Sequence, residues 1–201
     1  AILLPDNVTL VQCQPLVRCE VGGPIFSLRP PGGIGNLSIL GDGTWGAHGG
    51  SRLSSIGGTI RRGELLPSAG PIPHALKLML WAKEYYWPGN STSPCYRWPA
   101  LNCDGDDKNP DEGNFYNGTN PALKPGALLA VPPLLSAKVA PSLTTAVGRK
   151  LLAALTDYGG YLDDNTAWDA GAFNVEGGVE EEVAAAYEGL SLRAGPGDPL
   201  Y

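Results

Sequence analysis

Three aspartates and two aromatic residues crowd the stretch Tyr161-Leu-Asp-Asp-Asn-Thr-Ala-Trp-Asp169, and Glu84 stands beside three rings in Glu84-Tyr-Tyr-Trp87. Cleaving a glycosidic bond needs one carboxyl as acid and a second, a few ångströms away, as base or nucleophile. Asp163, Asp164, Asp169 and Glu84 are therefore the candidate catalytic set of a polysaccharide-cleaving enzyme, hydrolase or lyase. Trp87 and Trp168 are the candidate rings on which a sugar stacks. The structural reading of the same residues is that Asp163 and Asp164 cap a turn and Trp168 fills a core.

The chain has two histidines, His48 and His74. A Ser-His-Asp hydrolase would need one of them with Ser51 and Asp163, Asp164 or Asp169. Gly49-Gly-Ser-Arg-Leu53, however, is not the G-x-S-x-G elbow that presents a nucleophilic serine. Packing or surface hydrogen bonding is the expected use of both rings. Just upstream, Gly41-Asp-Gly-Thr-Trp-Gly46 fits G-x-G-x-x-G, but a dinucleotide loop must lead into a helix whose N-terminus faces the pyrophosphate. After Gly46 the chain reads AHGGSRLSSIGGTIRR, without a helical stripe, so these glycines are expected to serve turns, bulges or close backbone packing. Cys103-Asp-Gly-Asp-Asp-Lys-Asn-Pro-Asp-Glu112 offers calcium the oxygens of Asp104, Asp106, Asp107 and Asp111. Counted from Asp104, a lysine at the fifth position and the lack of glycine at the sixth break the EF-hand pattern. A solvated acidic loop is the first expectation there, and a calcium ion the alternative. No other cofactor is expected.

The elements that must carry these residues are short. Asn7–Val11, Leu16–Val21, Pro24–Leu28, Leu37–Leu40 and Thr59–Leu66 read as strands, broken by Gly22-Gly23, Pro30-Pro31-Gly32-Gly33 and Gly41-Asp42-Gly43. His74–Trp81 is apolar almost throughout and reads as a buried strand, with a helix start as the alternative. Residues 87–125 are polar, rich in Pro, Gly, Asn and Asp, and predict a long surface excursion held by a disulfide. Ala127–Val131 is a further short strand. Two helices come next. The first, over 142–158, has Ser142 or Thr144 as cap, Val147, Leu151, Ala154, Leu155 and Tyr158 on one face, and Gly159-Gly160 as stop. The second, over 178–188, puts Val179, Val183, Ala186 and Tyr187 on one stripe and Glu180–Glu182 in the first turn, where the helix dipole favours negative charge. Leu190–Leu192 reads as a returning strand. The expected fold is mainly β with α+β character: an antiparallel sandwich or jelly-roll-like core with the two helices packed on it.

Four sequons, Asn7-Val-Thr9, Asn36-Leu-Ser38, Asn90-Ser-Thr92 and Asn117-Gly-Thr119, place N-glycosylation at Asn7, Asn36, Asn90 and Asn117. Ten asparagines and twenty Ser or Thr in 201 residues predict about one such match by chance. The excess argues for a eukaryotic secretory product, extracellular or at the cell surface. The four cysteines fit that compartment. Cys13 with Cys19 and Cys95 with Cys103 would close two small loops; free buried thiols and a zinc site are the alternatives, and the C-x2-C spacing of zinc sites is absent.

With 201 residues the chain is expected to form one extracellular domain, and its 28 glycines and 19 prolines to divide it into many short elements. A formal charge of −6 and no basic run longer than Arg61-Arg62 exclude a nucleic-acid partner. The longest apolar stretch, 121–143, holds Lys124, Lys138 and several prolines, which excludes a membrane span. A start at Ala1 rather than Met suits a processed chain.

The block Ala47–Ala82, together with Tyr96-Arg-Trp-Pro-Ala100, Gly118-Thr-Asn-Pro-Ala-Leu123 and Asp157–Asp169, resembles a family of uncharacterised secreted domains of bacteria and microbial eukaryotes. The resemblance spans most of the chain and implies secretion and a single domain. The family has no established activity, so it assigns no catalytic residue here.

Two functions from different classes fit these observations. The first is a non-catalytic glycoprotein that assembles with itself into a coat, sheath or filament, its N-terminal AILLPDNVTLV pairing with a sheet edge of a neighbour. The alternative is a carbohydrate-active enzyme or sugar-binding module built on the Asp, Glu and Trp residues above, with carbohydrate as the partner.

Overall fold

In the computed structural model, the break Pro5-Asp6-Asn7 between two apolar runs turns the chain, as its residue types require. Asp6 accepts from the amides of Val8 and Thr9 and from the Thr9 hydroxyl, and Asn7 takes the left-handed conformation at φ 56°. The strands on either side, β1 (Ile2–Leu3) and β2 (Thr9–Val11), pair antiparallel, Ile2 opposite Val11 and Leu3 opposite Leu10. Strands β3 (Leu16–Arg18) and β4 (Ile25–Ser27) form a separate antiparallel ladder, and β5 (Leu37–Ser38) returns to the other side of β2. The structure describes residues 1–13, 16–27, 37–104 and 115–192; Asn36, Asp106, Asp107 and Asp111 lie outside them.

The described residues cluster into two compact units interleaved along the chain. The first draws on 1–57, 82–127 and 163–165, and the second on 58–81, 128–162 and the residues from 166 onward. Few aliphatic side chains are buried in the first unit. Its interior includes Leu10, Leu53, the edge-to-face pair Tyr86 and Tyr116, and the buried Cys95–Cys103 disulfide, the pairing expected for these two cysteines. Lys124 also fastens it, donating to Ser93 Oγ and the Pro94 carbonyl and lying over the Trp87 ring at 4.8 Å. A four-residue helix, α1 (Ala82–Tyr85), belongs to this unit. Cys13 and Cys19, expected to pair, are free thiols, one half-buried and one exposed; the extended strand β3 lies between them.

The second unit holds the larger apolar core. Strand β6 (Leu76–Leu80) lies in a four-stranded sheet of order β7-β8-β6-β9, with β7 (Leu128–Leu129), β8 (Gly160–Asn165) and β9 (Ala172–Phe173). The β7/β8 and β6/β9 pairs are antiparallel, while bonds from Leu76 N to Gly159 O and from Thr166 N to Leu80 O show that β6 and β8 run in the same direction. Helix α2 (Pro133–Val139) begins with proline at its first position, where no amide bond is lost, and none of its residues is buried. Helix α3 (Ala146–Asp157) buries Val147 and Ala154, with Leu151 and Leu155 packed beside them, and α4 (Val179–Ala186) buries Val179 and Val183. Against these stand Ile60, Leu65, Ile72 and Leu76. Each such side chain taken from water contributes about 1.5–3 kcal/mol.

Helix makes up about 20% of the structure and strand about 17%, so the fold is mixed α and β, with less strand than expected. Thr59–Leu66 is not a strand. Gly57, Gly58 and Gly63 turn the chain there, and only Ile60 bridges, to Val175. Leu190–Leu192 is irregular. The cap of α3 is Thr145, one residue beyond the expected Thr144; its hydroxyl accepts from Gly148 N at 3.0 Å. Lys150, on the next turn of that helix, donates to the carbonyls of Glu64, Ala69 and Gly70 at 2.8–3.1 Å. All three protons of one ammonium thus close one loop. Lys150→Met is expected to cost about 1–3 kcal/mol, read as a melting temperature lower by several degrees; an unchanged melt would mean that other contacts hold residues 64–70.

Candidate functional site

Within the first unit the loop Gly46–Ser55 folds back on itself. Gly46 N bonds Arg52 O, His48 N bonds Leu53 O, and Arg52 N bonds His48 O. A β-carbon on Gly46 would collide with the backbone of Leu53 and Ser54, so the last glycine of G-x-G-x-x-G lets two arms of one loop touch. That is the close backbone packing expected of it. Gln12, just past β2 and buried, holds the loop from beneath by accepting from Ser55 N at 2.6 Å, Ser55 Oγ at 2.7 Å and Ala47 N at 3.4 Å. Leu101 N bonds Ser51 O from the disulfide-closed segment, and Arg52 sits at φ 58°, a left-handed conformation a non-glycine residue adopts only when its surroundings impose it.

Asp163 and Asp164 reach this loop from the end of β8. Ser51 Oγ donates to Asp163 Oδ1 at 2.5 Å and accepts from Leu53 N at 3.2 Å. The other Asp163 oxygen lies 3.1 Å from His48 Nδ1, and Asp164 Oδ2 lies 3.4 Å from the same nitrogen. The Asp163 side chain is fully buried, whereas those of His48 and Asp164 are 21% and 18% exposed. A buried carboxylate persists only when it is paired and hydrogen-bonded, and Ser51 and His48 supply that. Two carboxylate oxygens thus face Nδ1, an arrangement that orients the ring.

Two glycines make room for this. A β-carbon on Gly49 would occupy the place of Asp164 Oδ2, and one on Gly50 would stand 2.6 Å from Asp104 Oδ2. Asp104 therefore turns its carboxylate to the histidine loop, next to the buried disulfide half Cys103. No group of three or more His, Cys, Asp or Glu among the described residues has the geometry to hold a metal ion.

Two tyrosines lie behind the carboxylates. Tyr86 OH donates to the Asp164 carbonyl at 2.6 Å, and the Tyr116 ring meets Tyr86 edge-on, centroids 5.2 Å apart. Tyr116 is 3% exposed. Burial holds its phenol well above the ordinary tyrosine range; the Asp104 charge adds to this, the Asp104 amide partly opposes it, and the Asp164 charge adds again. The folded chain thus binds this proton more tightly than the unfolded chain does. The resulting stability is complete below the ordinary tyrosine value of 10.0 and is lost as pH rises past it. In spectrophotometric titration Tyr116 is expected to ionise only as the chain unfolds, and Tyr116→Phe to move the alkaline unfolding midpoint upward. An unmoved midpoint would mean that the phenol ionises in place.

Of the sequence candidates, the structure thus brings Asp163, Asp164 and Asp104 to one loop. Glu84 is exposed on α1, and Trp87 is half-buried with Lys124 over its ring. Asp169 and Trp168, the latter 54% exposed, belong to a surface turn of the second unit in which the Thr166 hydroxyl donates to the carbonyls of Trp168 and Ala170. Trp168 therefore does not fill a core. His48 was expected only to pack or bind at the surface, yet it is the centre of the cluster. Ser51 is present too, but its order is Ser-Asp-His, with the hydroxyl proton on the carboxylate, so it orients Asp163 and is not a nucleophile. The sequon residues Asn7, Asn90 and Asn117 are all exposed. No helix among the described residues is long and apolar enough to cross a membrane. Compared with known families, curated proteins and solved structures, the chain matches none.

Proposed function

We propose that this chain is a secreted, N-glycosylated carbohydrate-active enzyme in which His48 carries the proton. One observation carries the reading: a fully buried Asp163 is held by Ser51 on one oxygen and set against His48 on the other. Such a shell fixes both the ring and the nitrogen that exchanges its proton, which a histidine used only for packing does not require. In the reaction, His48 Nε2 gives its proton to the glycosidic oxygen as the C–O bond breaks. Asp164, partly exposed beside the ring, supports the positive charge that develops on the anomeric carbon. Water then adds to that carbon, and the proton it sheds returns to His48.

The other reading, an assembling coat or filament subunit, rests on β1. This strand pairs with its own β2 and lies at the edge of the order β1-β2-β5, with Leu3 47% exposed.

The test is turnover of a panel of polysaccharides by the native glycosylated chain, with His48→Gln as control. Release of reducing ends that falls about 10²–10⁴-fold in the variant, with the melting temperature kept, is the expected result. No turnover from the native chain, together with long regular particles in negative stain, would replace the enzyme by the subunit.

A further inference from the structure

We infer that the His48 site takes the hydroxyl groups of a neutral sugar and rejects uronate or sulfated chains, so that its reaction is hydrolysis and not elimination. The inference rests on the enzymatic reading above and names the substrate class of that site. Asp104, Asp163 and Asp164 turn three carboxylates toward the histidine loop, in which Arg52 is the only Lys or Arg between Gly46 and Ser55. Elimination starts from a sugar acid and needs positive charge to hold the substrate's carboxylate. Here an anionic sugar would meet like charge at Asp164, a partly exposed carboxylate.

A sugar hydroxyl is instead both donor and acceptor, and the site has a partner for each role. Asp164, 18% exposed, accepts. The donor is Tyr116, whose hydroxyl is buried and has no hydrogen bond of good geometry among the described residues. Burial first, and then the Asp104 and Asp164 charges, keep it protonated. The Asp104 amide faces the phenol oxygen, but the phenol proton has no acceptor of good geometry among the described residues; such a buried donor costs stability, and folds retain it where it is used. On binding, the sugar hydroxyl donates a hydrogen bond to Asp164 and its oxygen accepts one from the Tyr116 hydroxyl, with no proton transferred.

The experiment is affinity electrophoresis of the full glycosylated chain through laminarin, galactomannan, alginate and polygalacturonate, repeated with Tyr116→Phe. The expected result is retardation by at least one neutral polymer and by neither uronate polymer, with the variant bound about tenfold more weakly at an unchanged or higher neutral-pH melting temperature. A structural tyrosine would instead lower the melting temperature and leave retardation as it was, which overturns the inference. Turnover of alginate or polygalacturonate that His48→Gln abolishes also overturns it, and leaves the enzymatic reading standing. Retardation by none of the four, with no turnover of any, removes both.

Discussion

Asp163→Asn is expected to lower turnover by about four orders of magnitude while the chain still folds. The carboxylate accepts from Ser51 on one oxygen and faces His48 Nδ1 with the other. An amide can satisfy one of these partners, not both. If its oxygen keeps the Ser51 proton, its NH2 group faces Nδ1, and the imidazole must present a lone pair there and move its proton to Nε2. That is the wrong tautomer for taking a proton from water. The stability cost is about 1–3 kcal/mol, or roughly 2–12 °C in melting temperature. Turnover checks the first effect, and the nitrogen chemical shifts of His48 check the tautomer. Activity within tenfold of the native chain would make Asp163 a structural lock on the loop and transfer the acid–base role elsewhere.

The second large effect is expected at Gly118. Its amide donates to the Tyr86 carbonyl at 2.8 Å, and a β-carbon there would run into the backbone carbonyl of Tyr85 and the carbonyl carbon of Tyr86. Those atoms belong to the end of α1 and cannot rotate away as a side-chain tip can. Gly118→Ala is expected to cost about 3 kcal/mol, some 6–12 °C in melting temperature. It is also expected to pry Tyr116 from Tyr86, and Tyr86 from the Asp164 carbonyl, so the proposed turnover should fall with the packing. Gly49→Ala makes the contrast. Its β-carbon meets only the carboxylate tip of Asp164, which can swing, so that variant should keep its melting temperature while losing activity. Equal melting losses in both variants would mean that the two glycines serve packing alike.

These contrasts also mark what was legible in the sequence. Val147, Leu151, Ala154 and Leu155 announce α3 because helical periodicity is a property of neighbours, and Glu180–Glu182 announce the start of α4 for the same reason. Thr59–Leu66 misled because its β-branched and apolar residues outweighed the glycines around it; those glycines decide the backbone, and Ile60 and Leu65 are buried from turns. The site was half legible. Asp163 and Asp164 stood out by type, but their partners did not, since Ser51 and Asp163 are 112 residues apart and no spacing rule spans that distance. Gly49-Gly50 before Ser51 was the available signal. Adjacent glycines can mean a turn or room for something to approach, and only the fold shows that the visitors are Asp164 and Asp104.

The interleaving of the two units sets a timetable for the nascent chain. His48 and Asp163 are 115 positions apart in the sequence, which at ribosomal rates of about 5–20 residues per second means a wait of roughly 6–23 s. During that interval Ser51 and His48 have been made, and the buried charge that orders them has not. The exposed sequon residues Asn7, Asn90 and Asn117 all leave the ribosome before Asp163 does. The His48–Asp163 cluster is thus among the last parts of its unit to be completed, after every one of these three sequon residues has been made.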